Sequence, residues 1–176
     1  MPSGRKGAVR LGSVRSEKTV KRVDVQRLFE LGLLSARAPL VSPHPTLLSL
    51  CAQGVLQGGL SVDLDVRPDE LVGPLCQRLG GEALKLRILE VRTSPAELWV
   101  LRDKKESRWP VPDVPSLVRA LNRAYRRVPT VRNIAVLGEW EDAWQLWCLE
   151  KDRLPALLKE GLLEAETLEV SALGAD

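Results

Sequence analysis

Seven cations, Arg5, Lys6, Arg10, Arg15, Lys18, Lys21 and Arg22, fall in the first 22 residues against the single acid Glu17. Interspersed with three glycines and three serines, they form a flexible arm in which each phosphate contact would release condensed counterions. No aromatic residue precedes Phe29, so such an arm reads charge and not bases. A second basic element is expected at 116–128, where Arg119, Arg123, Arg126 and Arg127 stand opposite Leu117, Leu121, Ala124 and Val128 at helical spacing. Like charges four apart repel by roughly 0.2–0.5 kcal/mol per pair, so this stripe favours an anionic partner. That partner is either nucleic acid or the chain's own Glu139, Glu141 and Asp142.

Tryptophan supplies five of seven aromatic residues. Trp99 and Trp147 lie in apolar runs and read as core, whereas Trp109, beside Arg108 in the polar connection 104–112, is the one expected to be exposed for a partner. Other chemistries find little support. His44 is the only histidine, set between Pro43 and Pro45 in an extended loop, and Cys51, Cys76 and Cys148 lack metal-ligand spacing and read as buried thiols. Asp63 with Asp65, and Glu139 with Glu141 and Asp142, read as surface acids more readily than as a cation site. Phosphate-loop, dinucleotide, nucleophile-elbow and zinc-protease motifs are all missing, so no catalytic residue, metal or cofactor is expected and an enzymatic role is disfavoured.

Composition sets the frame for these residues. The 176 residues are 44% hydrophobic and 28% charged, enough to bury a core and too apolar for a disordered chain. The net charge of +3 hides an asymmetry: residues 1–37 hold nine Lys/Arg against three acids, residues 138–176 three against ten. No run approaches the ~18 apolar residues a membrane span requires, and no apolar stretch follows the basic start as a secretory signal would need. A cytoplasmic location without membrane contact is expected.

The elements that must position the candidate residues follow from periodicity. Residues 1–22 form the arm, 23–58 a small helical segment, and 59–176 an α+β domain. Val25, Leu28, Phe29 and Leu33, capped by Asp24, predict a helix over 24–34, and Thr46 caps a second helix that Gly58 and Gly59 stop. Residues 60–66 alternate as a strand. A helix over 69–79 is expected to break at Pro74. Strands at 83–92 and 97–102, a helix from Asp113 or Ser116 to Val128, strands at 130–137 and 143–149, and a helix over 152–160 complete the chain. The strings ELWVL at 97–101 and QLWCL at 145–149, with PSLVR at 115–119 and PALLK at 155–159, suggest a degenerate ββα duplication. The expected architecture is a mostly antiparallel sheet with helices on one face.

The order helix, strand, strand, helix, strand, strand, helix from residue 69 resembles the small fold of type III secretion chaperones and their YbjN-like relatives. The likeness rests on that order and on Leu117-Val118-Arg119-Ala120-Leu121-Asn122-Arg123 followed by a hairpin and Leu154-Pro155. It implies a bacterial protein that holds a protein partner, and also a third strand in the first sheet portion that periodicity does not reveal. Leu28 to Arg37 is similar to the helix end of MerR-type DNA-binding heads, without the preceding helix-turn-helix. The leading expectation is a non-enzymatic protein that binds DNA or RNA through backbone phosphates, using the arm and the arginine helix. The alternative is a protein-binding adaptor or chaperone.

Overall fold

Two short helices, each held by a side-chain cap, begin the computed structural model, which describes residues 22–35 and 45–163. Asp24 caps α1 (Val25–Glu30) by accepting from the Arg27 amide at 3.2 Å, and Thr46 caps α2 (Leu47–Ala52) in a reciprocal box with Ser49. A bridge between Leu34 and Leu56, flanked by Ser35 N–H on the Val55 carbonyl and Gln57 N–H on the Leu33 carbonyl, clips the two segments together. There follow β1 (Gly59–Asp63), α3 (Pro68–Leu79), a 3₁₀ turn (Gly81–Lys85), β2 (Arg87–Thr93), β3 (Ala96–Arg102) and β4 (Lys105–Pro110). Then come α4 (Val114–Ala124), β5 (Asn133–Trp140), β6 (Ala143–Leu149), a second 3₁₀ turn (Lys151–Arg153) and α5 (Leu154–Lys159).

The protein is α+β and its strand pairing is antiparallel, but the strands divide into two three-stranded sheets, ordered β1-β6-β5 and β2-β3-β4. Successive side chains on β5 point to opposite sides. Ile134 and Val136 enter a core shared with α3, α4 and the inner face of β3, while Ala135 and Leu137 enter a second core with α1, α2 and α5. Helices therefore lie on both faces of β1-β6-β5, not on one as the sequence pattern suggests. This is why β5 and β6 read as nearly continuous apolar runs: residues 133–138 and 144–149 are all buried. Gly58, at φ 87°, sits where a Cβ would approach the Cys148 carbonyl to 2.3 Å, so this corner packs only around glycine.

Several boundaries differ from the periodicity. α3 runs unbroken through Pro74, because Pro74 lies on its exposed side and the Glu70 carbonyl it cannot serve is at an exposed position open to water. α4 stops at Ala124 rather than Val128, since Tyr125 leaves helical geometry and sinks to 1% exposure in the core. Residues 104–112 are not a mere connection: most form β4, which the two-residue reversal Asp103-Lys104 joins to β3 with both φ angles positive. This is the third strand implied by the chaperone-like element order. Residue His44 and the arm through Lys21 lie outside the described residues, as does Arg37 of the stretch that is similar to MerR heads.

Candidate anion-binding groove

α4 crosses the first core with Leu117, Val118 and Leu121 inward, which turns Arg119 and Arg123, four residues apart, toward the β4 side. Asp113 starts the helix by accepting from the Ser116 amide at 2.9 Å. Asn122 locks it to the sheet: its amide donates to the Ile134 carbonyl at 2.9 Å and accepts from the Ile134 N–H at 3.0 Å. A groove of about 530 Å³ opens between α4 and β4, lined by Arg102, Arg119 and Arg123 together with Trp109 and Ser107; Arg108 borders it from β4, with its guanidinium turned to the other face of the sheet, over Trp99. Among the described residues no carboxylate lines it.

Two of these cations are held by aromatic rings. The Arg108 guanidinium lies 4.7 Å from the Trp99 ring centroid and that of Arg102 lies 5.5 Å from the Tyr125 ring. Arg102 also stands 3.7 Å from Asp103, an exposed partner at the hairpin turn. Burial pushes the Tyr125 phenol up to about 12, so it stays neutral beneath Arg102. Because the Tyr125 ring fixes the Arg102 guanidinium without neutralising it, Arg102 adds a positioned positive charge to those of Arg119 and Arg123 in the groove.

The sequence-derived candidates separate here. Arg119 and Arg123 meet in the groove, whereas Arg126 and Arg127 follow the end of α4 and do not line it. Arg119, Arg126 and Arg127 each engage a contact within the chain. Trp109 is half-buried, not exposed: its partner across the ladder is the buried Leu98, and it packs on the first core while forming one wall of the groove. Trp99 carries the reverse correction, lying half-buried under Arg108 rather than in the core. Arg22 is exposed; Arg5, Lys6, Arg10, Arg15, Lys18 and Lys21 lie outside the described residues. Sequence periodicity alone does not bring Arg102 to α4, and the signal available was the two-residue alternation that puts it on the same face of β3 as Leu98 and Val100.

Cys51, Cys76 and Cys148 are free and buried, and desolvation raises each thiol to about 11. Among the described residues no group of three or more histidine, cysteine or acidic side chains could hold a metal ion, and no helix is long and apolar enough to cross a membrane. Compared with protein-family models, curated proteins and solved structures, the chain matches none.

Proposed function

We propose that this protein binds nucleic acid through backbone phosphates, seated in the α4–β4 groove and reinforced by the basic segment 1–22. The observation that carries this reading is the groove itself, where guanidinia from α4 and from the β3–β4 hairpin converge without a lining carboxylate. Phosphate recognition by arginine needs such positioned, multi-donor forks. Trp109 supplies a half-exposed indole on which an unpaired base can stack, which favours single-stranded over fully paired substrates. Anisotropy titrations with single- and double-stranded DNA and RNA over about 50–200 mM salt test it. Replacing Arg102, Arg119 and Arg123 by Gln should weaken binding and flatten the log-affinity against log-salt slope by about 0.7–0.9 for each phosphate left unneutralised. Deleting residues 1–22 should flatten it further. No detectable binding by the unaltered protein near about 50 mM salt overturns the proposal.

A second reading, a protein-binding adaptor, is favoured by a different surface. β2 is an edge strand paired only with β3 among the described residues, and its Ile88, Leu89 and Val91, with Leu84 just before it, are exposed. An apolar edge of this kind can accept a partner strand. The third strand β4 brings the element order into line with the chaperone-like resemblance. Substitution of Ile88 and Val91 by Lys would abolish partner capture on this reading and leave nucleic-acid binding unchanged.

A further inference from the structure

At the end of the β1-β6-β5 sheet, between the α1–α2 clip and the last turn of α3, a second cleft of about 490 Å³ is lined by Arg78, Arg132 and Arg153. The three arginines come from separate elements: the last turn of α3, the residue before β5, and the 3₁₀ turn after β6. Each is anchored by a main-chain carbonyl. Arg78 donates to the Gly59 carbonyl at 3.1 Å, Arg132 to the Arg78 carbonyl at 3.0 Å, and Arg153 to the Leu31 carbonyl at 3.0 Å. A carbonyl positions a guanidinium but leaves its charge whole, and its remaining N–H groups are still available. None of the three forms an ion pair among the described residues, although the exposed carboxylate of Glu150 lines the same cleft.

We infer that this cleft is a binding site for a phosphomonoester, distinct from the α4–β4 groove. Three fixed cations against one carboxylate leave an excess of two positive charges, and a phosphomonoester carries about −1.5 to −2 at neutral pH. Three guanidinia directed from three elements suit the several oxygens of a phosphoryl group. Glu150 then serves as an acceptor for a hydroxyl or amine on the rest of the ligand. The positive field reaches the wall: burial raises the Cys148 thiol, while Arg78 and Arg132 both act against that rise. Gly32, in the clip, stands in ordinary contact range of the Arg153 guanidinium at the cleft's wall. The source of the ester is a small phosphorylated metabolite or the 5′-phosphate of a nucleic-acid strand.

The test uses amide and indole NMR on the full chain, with adenosine 5′-monophosphate as probe and adenosine as control. The Trp147 indole donates to the Gln57 carbonyl at 2.8 Å, and Gln57 lines the cleft, so this indole N–H is a built-in reporter. Saturable shifts at Gly32, Gly58 and the Trp147 indole with the monophosphate, and none with adenosine, are expected. Arg132→Gln should weaken the monophosphate about tenfold or more. Glu150→Gln touches no anchoring carbonyl and should tighten it several-fold, which keeps the test decisive if Arg132→Gln lowers stability. Arg123→Gln, in the other groove, should leave it unchanged. An oligonucleotide with a 5′-phosphate, compared with its 5′-hydroxyl form, decides the source: shifts specific to the phosphorylated strand identify a strand end, and equal cleft occupancy by the monophosphate alone identifies a small ligand. Absence of saturable cleft shifts with both phosphorylated probes overturns the inference, as does an unchanged affinity in Glu150→Gln. Neither result bears on binding in the α4–β4 groove.

Discussion

The β3–β4 and β5–β6 hairpins turn through the same device, a two-residue reversal in which Asp103-Lys104 and Glu141-Asp142 all adopt positive φ. Each also carries a near-copy of one pentapeptide, with Trp99 central in ELWVL and Trp147 central in QLWCL. Trp147 is fully buried, in the core formed with α1, α2 and α5. Trp99 is half-buried on the side of its sheet away from the buried Leu98 and Val100, with Arg108 laid over it. Local sequence therefore sets the strand and the alternation, while the layers above and below decide whether a given face is core. The α1–α2 segment and α5 supply the second layer for one sheet, and no described helix shares a core cluster with Trp99.

The largest test of this contrast is Trp147→Ala. Removing the indole leaves a cavity and frees the Gln57 carbonyl that now accepts its N–H, so urea unfolding should show a loss of roughly 3–5 kcal/mol. A loss below about 1 kcal/mol would mean that α1, α2 and α5 do not form a tight layer.

Asn122→Ala should rank second. Its side chain is 2% exposed and satisfies both the N–H and the carbonyl of Ile134 on β5, the outer strand of its sheet. The substitution strands two buried main-chain groups, for an expected loss of roughly 2–3 kcal/mol. Hydrogen exchange sharpens the point: the Ile134 amide should lose protection more than its neighbours on β5. Uniform loss along β5 would show that Asn122 acts by packing alone.

Trp99→Ala comes third. With one open face and an exposed cation above it, this tryptophan should contribute about 1 kcal/mol, part of it through Arg108. The double variant with Arg108→Gln should cost less than the sum of the singles, since both remove the same stack. Additive losses would show that the two side chains act independently.

Much of this contrast was legible in the sequence, and its limits have physical causes. β6 matches the expected residues 143–149, because a short, nearly continuous apolar run bounded by the polar Glu141-Asp142 defines it locally. Arg119 and Arg123 were visible as one helical face for the same reason. β4 was obscured because Lys105 to Pro110 has few apolar residues, so no run of buried side chains marks it as a strand. The side taken by Trp99 and by Trp109 depends on which face α4 covers, a long-range fact that no local period contains. The cleft around Arg78, Arg132 and Arg153 was invisible for a related reason: its cations are separated by 54 and 21 positions and meet only after the sheet closes.

The smallest expected effect probes how the layer over Trp147 is fastened at its rim. Arg27 on α1 reaches Glu160 at the end of α5 through two hydrogen bonds, one of them from Nε at 3.1 Å. Both groups are exposed, so the contribution is modest and screened by salt. The bond from Arg27 holds the Glu160 carboxyl below its ordinary value of 4.5. A depressed folded-state value means that the stabilisation is present above the unfolded value and is lost as pH falls through the folded one. Arg27→Gln should therefore lower the melting temperature slightly at neutral pH, and the difference from the unaltered protein should shrink toward zero as pH falls below about 4. A difference that persists at about pH 2 would assign the effect to packing of the Arg27 stem, since the carboxylate is then protonated in both states. If the ion pair fastens the rim, amides in α1 should exchange faster in the variant at neutral pH while those of β2, on the other sheet, keep their rates. Equal acceleration in both sheets would mean that the pair acts on global stability and not on the layer that distinguishes Trp147 from Trp99.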